Sequence, residues 1–123
     1  MSDQTFDSNL RDFSERERGY ISRMMEAEFR GKAEILRQIE TATVRQIDAD
    51  GSIEILPGLD IAAPAETPVP VQASAPDIDG VPIYLLLHVL EWKAQELEIY
   101  KADGSLIRRY PEPDELEVMA LSP

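Results

Sequence analysis

The chain is expected to fold as an α+β protein, with two N-terminal helices packed on one face of a mostly antiparallel, meander-like β-sheet of about five or six strands. Three observations carry this. Apolar residues recur at helical spacing only before about residue 42. Beyond that point, short apolar runs alternate with Asp-Gly turn signals. Two short amphipathic helices joined by a single glycine cannot bury their apolar faces alone, so they need a sheet to pack on.

Residues 1–13 show no apolar periodicity and are expected to form a flexible N-terminal segment, leaving 14–123 as one α+β domain. Ser14-Glu15-Arg16-Glu17 has the capping-box pattern, in which Ser14 accepts from the amide three residues on and Glu17 reaches back. Ile21, Met24, Met25 and Phe29 then recur at helical spacing, which predicts a helix over about 14–30. Gly31 suits a left-handed cap, and a second helix follows over about 32–41 with Ile35, Leu36 and Ile39 as its apolar face.

The sheet is expected over about 43–121. Thr43–Asp48 and Ser52–Leu56 flank Ala49-Asp50-Gly51, a hairpin signal. Residues 57–67, rich in Pro, Ala and Gly, form a surface loop. Pro68–Ala75 is extended but carries Pro68 and Pro70, so it is expected at an edge or as irregular chain. Val81–Leu90 is the strongest strand, and Gln95–Lys101 follows it. Ala102-Asp103-Gly104 turns the chain into a further strand, Ser105–Tyr110, which Pro111 and Pro113 stop. Glu115–Leu121 reads as a last strand or a short docked helix.

Composition bounds the chemistry. With 43% hydrophobic and 29% charged residues, the chain is of globular rather than disordered type. It has no cysteine, so disulfides, thiol catalysis and cysteine-ligated zinc are excluded. The formal net charge is −12 and is unevenly spread. Residues 1–45 carry nine acids and eight bases, whereas 46–123 carry fifteen acids against Lys93, Lys101, Arg108 and Arg109. A field of that sign repels nucleic acid and anionic membrane and speeds encounter with a basic protein. The polar N-terminus and the short apolar runs fit neither a signal peptide nor a membrane span, which makes the cytoplasm the expected location.

Candidate catalytic sites are few. Asp48-Ala49-Asp50-Gly51 and Asp77-Ile78-Asp79-Gly80 look like the middle of a calcium loop. Their end positions fail, with Gln46 first and Pro57 last in one register and Ala75 first in the other, so both read as turns. His88 is the single histidine, which excludes metal sites that need two, and there is no nucleophile elbow or phosphate loop. No catalytic residue, metal ligand or cofactor is therefore assigned.

The strand Val81–Leu90 is unusual because both of its faces are largely apolar, which predicts a central position. Matching Leu87 and Val89 to Leu97 and Ile99 through a three-residue turn sets His88 opposite Glu96 or Glu98. The second face then holds Tyr84, Leu86, His88 and Tyr100 among glutamates. The segment 57–76 could fold back over it, a second copy of the chain could cover it, or it could serve as a protein-binding surface. On the last reading the partner-binding residues are Tyr84, Leu86, His88, Glu91, Trp92, Glu96, Glu98, Tyr100 and Asp103. The alternatives are a self-associating structural subunit and a small-molecule binder or weak enzyme centred on His88.

Asp79-Gly80-Val81-Pro82-Ile83, Leu86-Leu87-His88-Val89 and Leu97 through Ser105, with Ile47–Ser52 upstream, resemble a family of short uncharacterised bacterial proteins. The resemblance covers most of the chain beyond Phe13. It implies a cytoplasmic domain of unknown function and brings no site residues with it. In size and acidity the chain is also similar to immunity proteins that neutralise toxins delivered between bacteria, a likeness that rests on no motif. The expectation drawn from all of this is a non-catalytic, acidic protein-binding domain whose partner is another protein, such as a basic toxin domain.

Overall fold

The computed structural model describes residues 6–58 and 60–121. The parts of the expected terminal segments at 1–5 and 122–123, and Leu59 of the surface loop, lie outside the described residues. The elements are α1 (Glu15–Met24), α2 (Lys32–Glu40), β1 (Thr43–Gln46), β2 (Ile53–Leu56), β3 (Val71–Pro76), β4 (Pro82–Leu90), β5 (Lys93–Lys101), a 3-10 turn (Pro113–Glu115) and β6 (Glu117–Ala120). The fold is α+β, with six strands paired antiparallel in the order β1-β2-β5-β4-β3-β6.

The capping box forms as its residues require. Ser14 Oγ accepts from the Glu17 amide, and Glu17 accepts from the Ser14 amide at 2.8 Å. Helix α1 ends at Met24 and does not reach residue 30. After Met24 the hydrogen bonds tighten, with the Glu26 and Ala27 amides reaching only three residues back, and the helix unwinds. Gly31, at φ +90°, begins α2 as its N-cap, and a Cβ there would meet the Pro64–Ala65 backbone at 3.2–3.3 Å.

The segment before α1 is tied down where it is described. Arg11 and Val44 exchange backbone hydrogen bonds of 2.9 and 2.8 Å, and Phe13 is buried. Residues 11–13 are thus placed against the β1 edge and, through Phe13, in the apolar cluster.

Alternation sets the two faces of the sheet. Ile53, Ile55, Val71, Ala73, Ile83, Leu85, Leu87, Leu97 and Ile99 are buried and share one apolar cluster with Tyr20, Ile21, Met24 and Ile35 of the helices. The residues between them stand on the other face. β4 is central, flanked by β5 and β3, as its two apolar faces require.

Two expected strands are corrected. β3 is interior, because β6 pairs along its outer side; Pro68 and Pro70 lie before it and contribute carbonyls that accept from Val89 (2.7 Å) and Leu121 (2.8 Å). Residues 105–110 form no strand, since both sides of the β4–β5 hairpin are already taken by β3 and β2. Their amides go elsewhere: those of Arg108 and Arg109 donate to the buried Asp77 carboxylate at 2.7 and 3.0 Å. The last segment contains both expected forms, a 3-10 turn and then β6.

Candidate functional site

The candidate site lies on the sheet face away from the apolar cluster. The β4–β5 register places Tyr84 opposite Tyr100, Leu86 opposite Glu98 and His88 opposite Glu96. The expected pairing of His88 with Glu96 is present, but it arises differently. The turn has two residues, Glu91 and Trp92, both left-handed at φ +53° and +63°. That connection pairs Val89 with Ala94, and a bulge between His88 and Val89 then shifts the register, leaving Gln95 unpaired and bringing Glu96 opposite His88.

Geometry on this face is close. The Tyr84 and Tyr100 rings have centroids 5.5 Å apart and are tilted by 31°. His88 Nε2 lies 2.8 Å from Glu98 Oε1. Across β5, Glu96 pairs directly with Glu54 of β2, and Glu54 pairs with Arg45 of β1 in turn. Partial burial raises the Glu96 carboxyl above its ordinary range; Glu98, Asp48 and Glu54 raise it further, and His88 offsets part of this. Among the described residues no lysine or arginine bonds Glu96 or Glu98. A shallow hollow lined by Ile47, Glu54, His88, Leu90, Gln95 and Glu96 adjoins the cluster.

The described residues of the 57–67 loop pack away from this face. Ala63 is fully buried in the apolar cluster, and its amide donates to the Trp92 carbonyl at 2.8 Å. Gln38 of α2, itself buried, donates to the carbonyls of Ile61 and Trp92 and accepts from the Ala94 amide. The described loop residues thus pack against α2 and the β4–β5 turn.

Six of the nine sequence-assigned residues meet on the face: Tyr84, Leu86, His88, Glu96, Glu98 and Tyr100. Glu91 and Trp92 sit at one end of the β4–β5 hairpin, where Trp92 is 59% exposed while its carbonyl holds the loop. Asp103 lies past the other end of β5, about 30 Å away along a nine-residue strand. Its carboxylate is occupied by the Ser105 hydroxyl and amide, which hold it below its ordinary range. Asp103 therefore does not join the cluster.

Both calcium-like loops are turns in which Asp48, Asp77 and Asp79 already have their carboxylates engaged. Asp48 Oδ1 accepts from the Asp50 and Ser52 amides, and Asp77 and Asp79 both bind Lys101. Another hollow, between α1 and the first hairpin, is lined by Arg11, Glu17, Tyr20 and Tyr110, but its Arg11–Glu17 pair is closed at 2.8 Å and supports the helix cap.

Sequence reasoning missed Arg45, Glu54, Gln72 and Ser74, which complete the face from β1, β2 and β3. Their alternation was visible, but the non-sequential β2–β5 pairing that brings Glu54 to Glu96 carries no local signal.

The model of a protein family described as a domain of unknown function, DUF6984, matches residues 10–111. The chain belongs to this family. The DUF6984 match spans both helices and β1–β5, and so takes in the whole β4–β5 face; it stops before the 3-10 turn and β6. No curated protein and no solved structure matches the chain. No helix among the described residues is long and apolar enough to cross a membrane.

Proposed function

We propose that the chain is a non-catalytic binding domain that receives a basic protein on the open face of its sheet. One observation carries this reading. Tyr84, Leu86 and Tyr100 form an apolar strip bordered by Glu54, Glu96 and Glu98, and no described lysine or arginine bonds Glu96 or Glu98. An aromatic and aliphatic centre with a charged rim is the anatomy of a protein interface, and the sign of the rim selects a cationic partner. A second copy of this chain would bring the same glutamates against each other, which disfavours self-association through this face. A basic toxin domain met in the cytoplasm is a partner of the right chemistry, with this chain as its immunity protein. The cluster holds no nucleophile paired with its histidine, which supports binding over catalysis.

Capture from the native host followed by titration of the captured protein tests this. Glu96→Lys with Glu98→Lys is expected to weaken binding at least roughly tenfold. Raised salt is expected to weaken the wild-type complex as well. A partner that binds the double variant as tightly as the wild type, or a chain that only self-associates by light scattering, overturns the proposal.

A further inference from the structure

We infer that His88, Glu96 and Glu98 form a binding site for a divalent transition-metal ion, zinc foremost. Each side chain offers one donor atom, and the three donors lie within 4.8 Å of one another. Tetrahedral zinc, with ligand bonds of about 2.0–2.2 Å, needs donors about 3.3–3.6 Å apart. The His88 Nε2 to Glu98 Oε1 separation of 2.8 Å falls just inside that spacing, so small side-chain rotations open it to fit an ion. The ion would stand between the two atoms that now share a hydrogen bond.

Several features distinguish this cluster from an ordinary patch of surface acids. It contains a nitrogen donor, and imidazole selects zinc and related ions over calcium and magnesium. Its donors come from two hydrogen-bonded central strands rather than from a loop, so the backbone register fixes their relative positions. The bulge at His88/Val89 brings Glu96, and not Gln95, opposite the imidazole. His88 and Glu98 side chains are 27% and 36% exposed, which leaves the outer side of the site open to an ion and to a water as fourth ligand. Glu54, directly across from Glu96, adds negative charge beyond the ligands themselves.

This site goes beyond the partner reading, and its test uses no partner. Tag-free chain, stripped with chelator, is titrated with zinc chloride by calorimetry and by NMR of the imidazole nitrogens. His88 is the only histidine, so one ring reports without ambiguity. The expected result is one zinc per chain and a shift of the Nε2 resonance that saturates with the calorimetric isotherm. His88→Ala is expected to abolish binding, and Glu96→Gln and Glu98→Gln each to weaken it by roughly 10–100-fold or more. Asp114→Asn, on the exposed 3-10 turn, should bind as the wild type does. An imidazole signal that does not move at millimolar zinc overturns the proposal and leaves an imidazole–carboxylate hydrogen bond alone. Unchanged affinity in a folded His88→Ala chain overturns it equally.

Discussion

Lys101 Nζ donates to Asp77 Oδ2 across 2.9 Å with both side chains fully enclosed at one end of the sheet. The lysine also reaches Asp79 Oδ2 at 2.6 Å and the Leu106 carbonyl at 3.2 Å. Asp77 accepts from the amides of Ile78, Arg108 and Arg109 as well. This buried knot holds the β3–β4 turn, the end of β5 and the segment after it to one another. Removing one partner of such a pair leaves an uncompensated charge. Lys101→Met is therefore expected to lower the melting temperature by on the order of 10 °C. Adding Asp77→Leu should bring no recovery, because three backbone amides would then lose their acceptor. Differential scanning calorimetry of the single and double variants checks both.

The same knot sets the response to acid. Burial alone would raise the Asp77 carboxyl, but the Arg108 amide, the Lys101 ammonium and the Ile78 and Arg109 amides outweigh it and hold it well below the usual range. A carboxyl lowered in the folded state binds fewer protons there than in the unfolded chain. Its stabilisation is complete above the ordinary value near 4 and is lost as pH falls below that towards the folded value. Urea midpoints measured from pH 7 downward are expected to drop most steeply below about pH 4. Asp77→Asn should be weaker at neutral pH and show a flatter acid profile; parallel profiles would refute the assignment.

Tyr20 contributes to the alkaline limb. Its hydroxyl donates to the Pro111 carbonyl at 2.7 Å, and burial pushes it up to about 12. A group raised in this way stabilises fully below its unfolded value near 10, and the contribution disappears as pH rises through the folded value. Unfolding followed between pH 9 and 12 should show a loss in the wild type that is reduced in Tyr20→Phe.

Leu85 and Leu86 are neighbours in β4 with opposite surroundings. Leu85 is fully buried in the apolar cluster, while Leu86 stands on the open face opposite Glu98. Leu85→Ala is expected to cost about 2–5 kcal/mol through lost burial and a residual cavity. Leu86→Ala should cost about 1 kcal/mol or less. Equal costs by urea denaturation would mean that something covers the face in solution, and concentration dependence would identify it as a second copy.

Much of this architecture was legible from local pattern. The Ser14–Glu17 box, the turn at Asp48–Gly51 and the central position of β4 all follow from neighbouring residues and period-two alternation, whereas the facing of His88 and Glu96 rests on a bulge that alternation does not show. The features that were not legible depend on distant partners. Residues 105–110 have strand-like composition, but no sheet edge remains beside β5 and Asp77 takes their amides. β3 is interior because β6, from the far end of the chain, pairs with it. Asp103 looked like part of the acidic site until strand length put it at the wrong end. Gln38 interrupts an apolar helix face, yet it is fully buried because three backbone groups, of the loop, the turn and β5, bond its amide.

The β4–β5 turn joins stability to the proposed function. A two-residue hairpin turn of type I′ needs left-handed backbone at both positions, which favours Asn-Gly, yet here Glu91 and Trp92 adopt it. For residues other than glycine this conformation costs about 1–2 kcal/mol each. Glu91→Asn with Trp92→Gly is therefore expected to stabilise the chain by roughly 1 kcal/mol in urea denaturation, since Trp92 is more than half exposed and the relieved backbone strain outweighs the partial burial lost with its indole. The backbone role of Trp92, accepting from Ala63 and Gln38, survives the change. If the indole is an anchor for the partner, the stabilised variant should bind it more weakly while gaining stability. A variant that gains stability and binds unchanged would confine the interface to the Tyr84–His88 face.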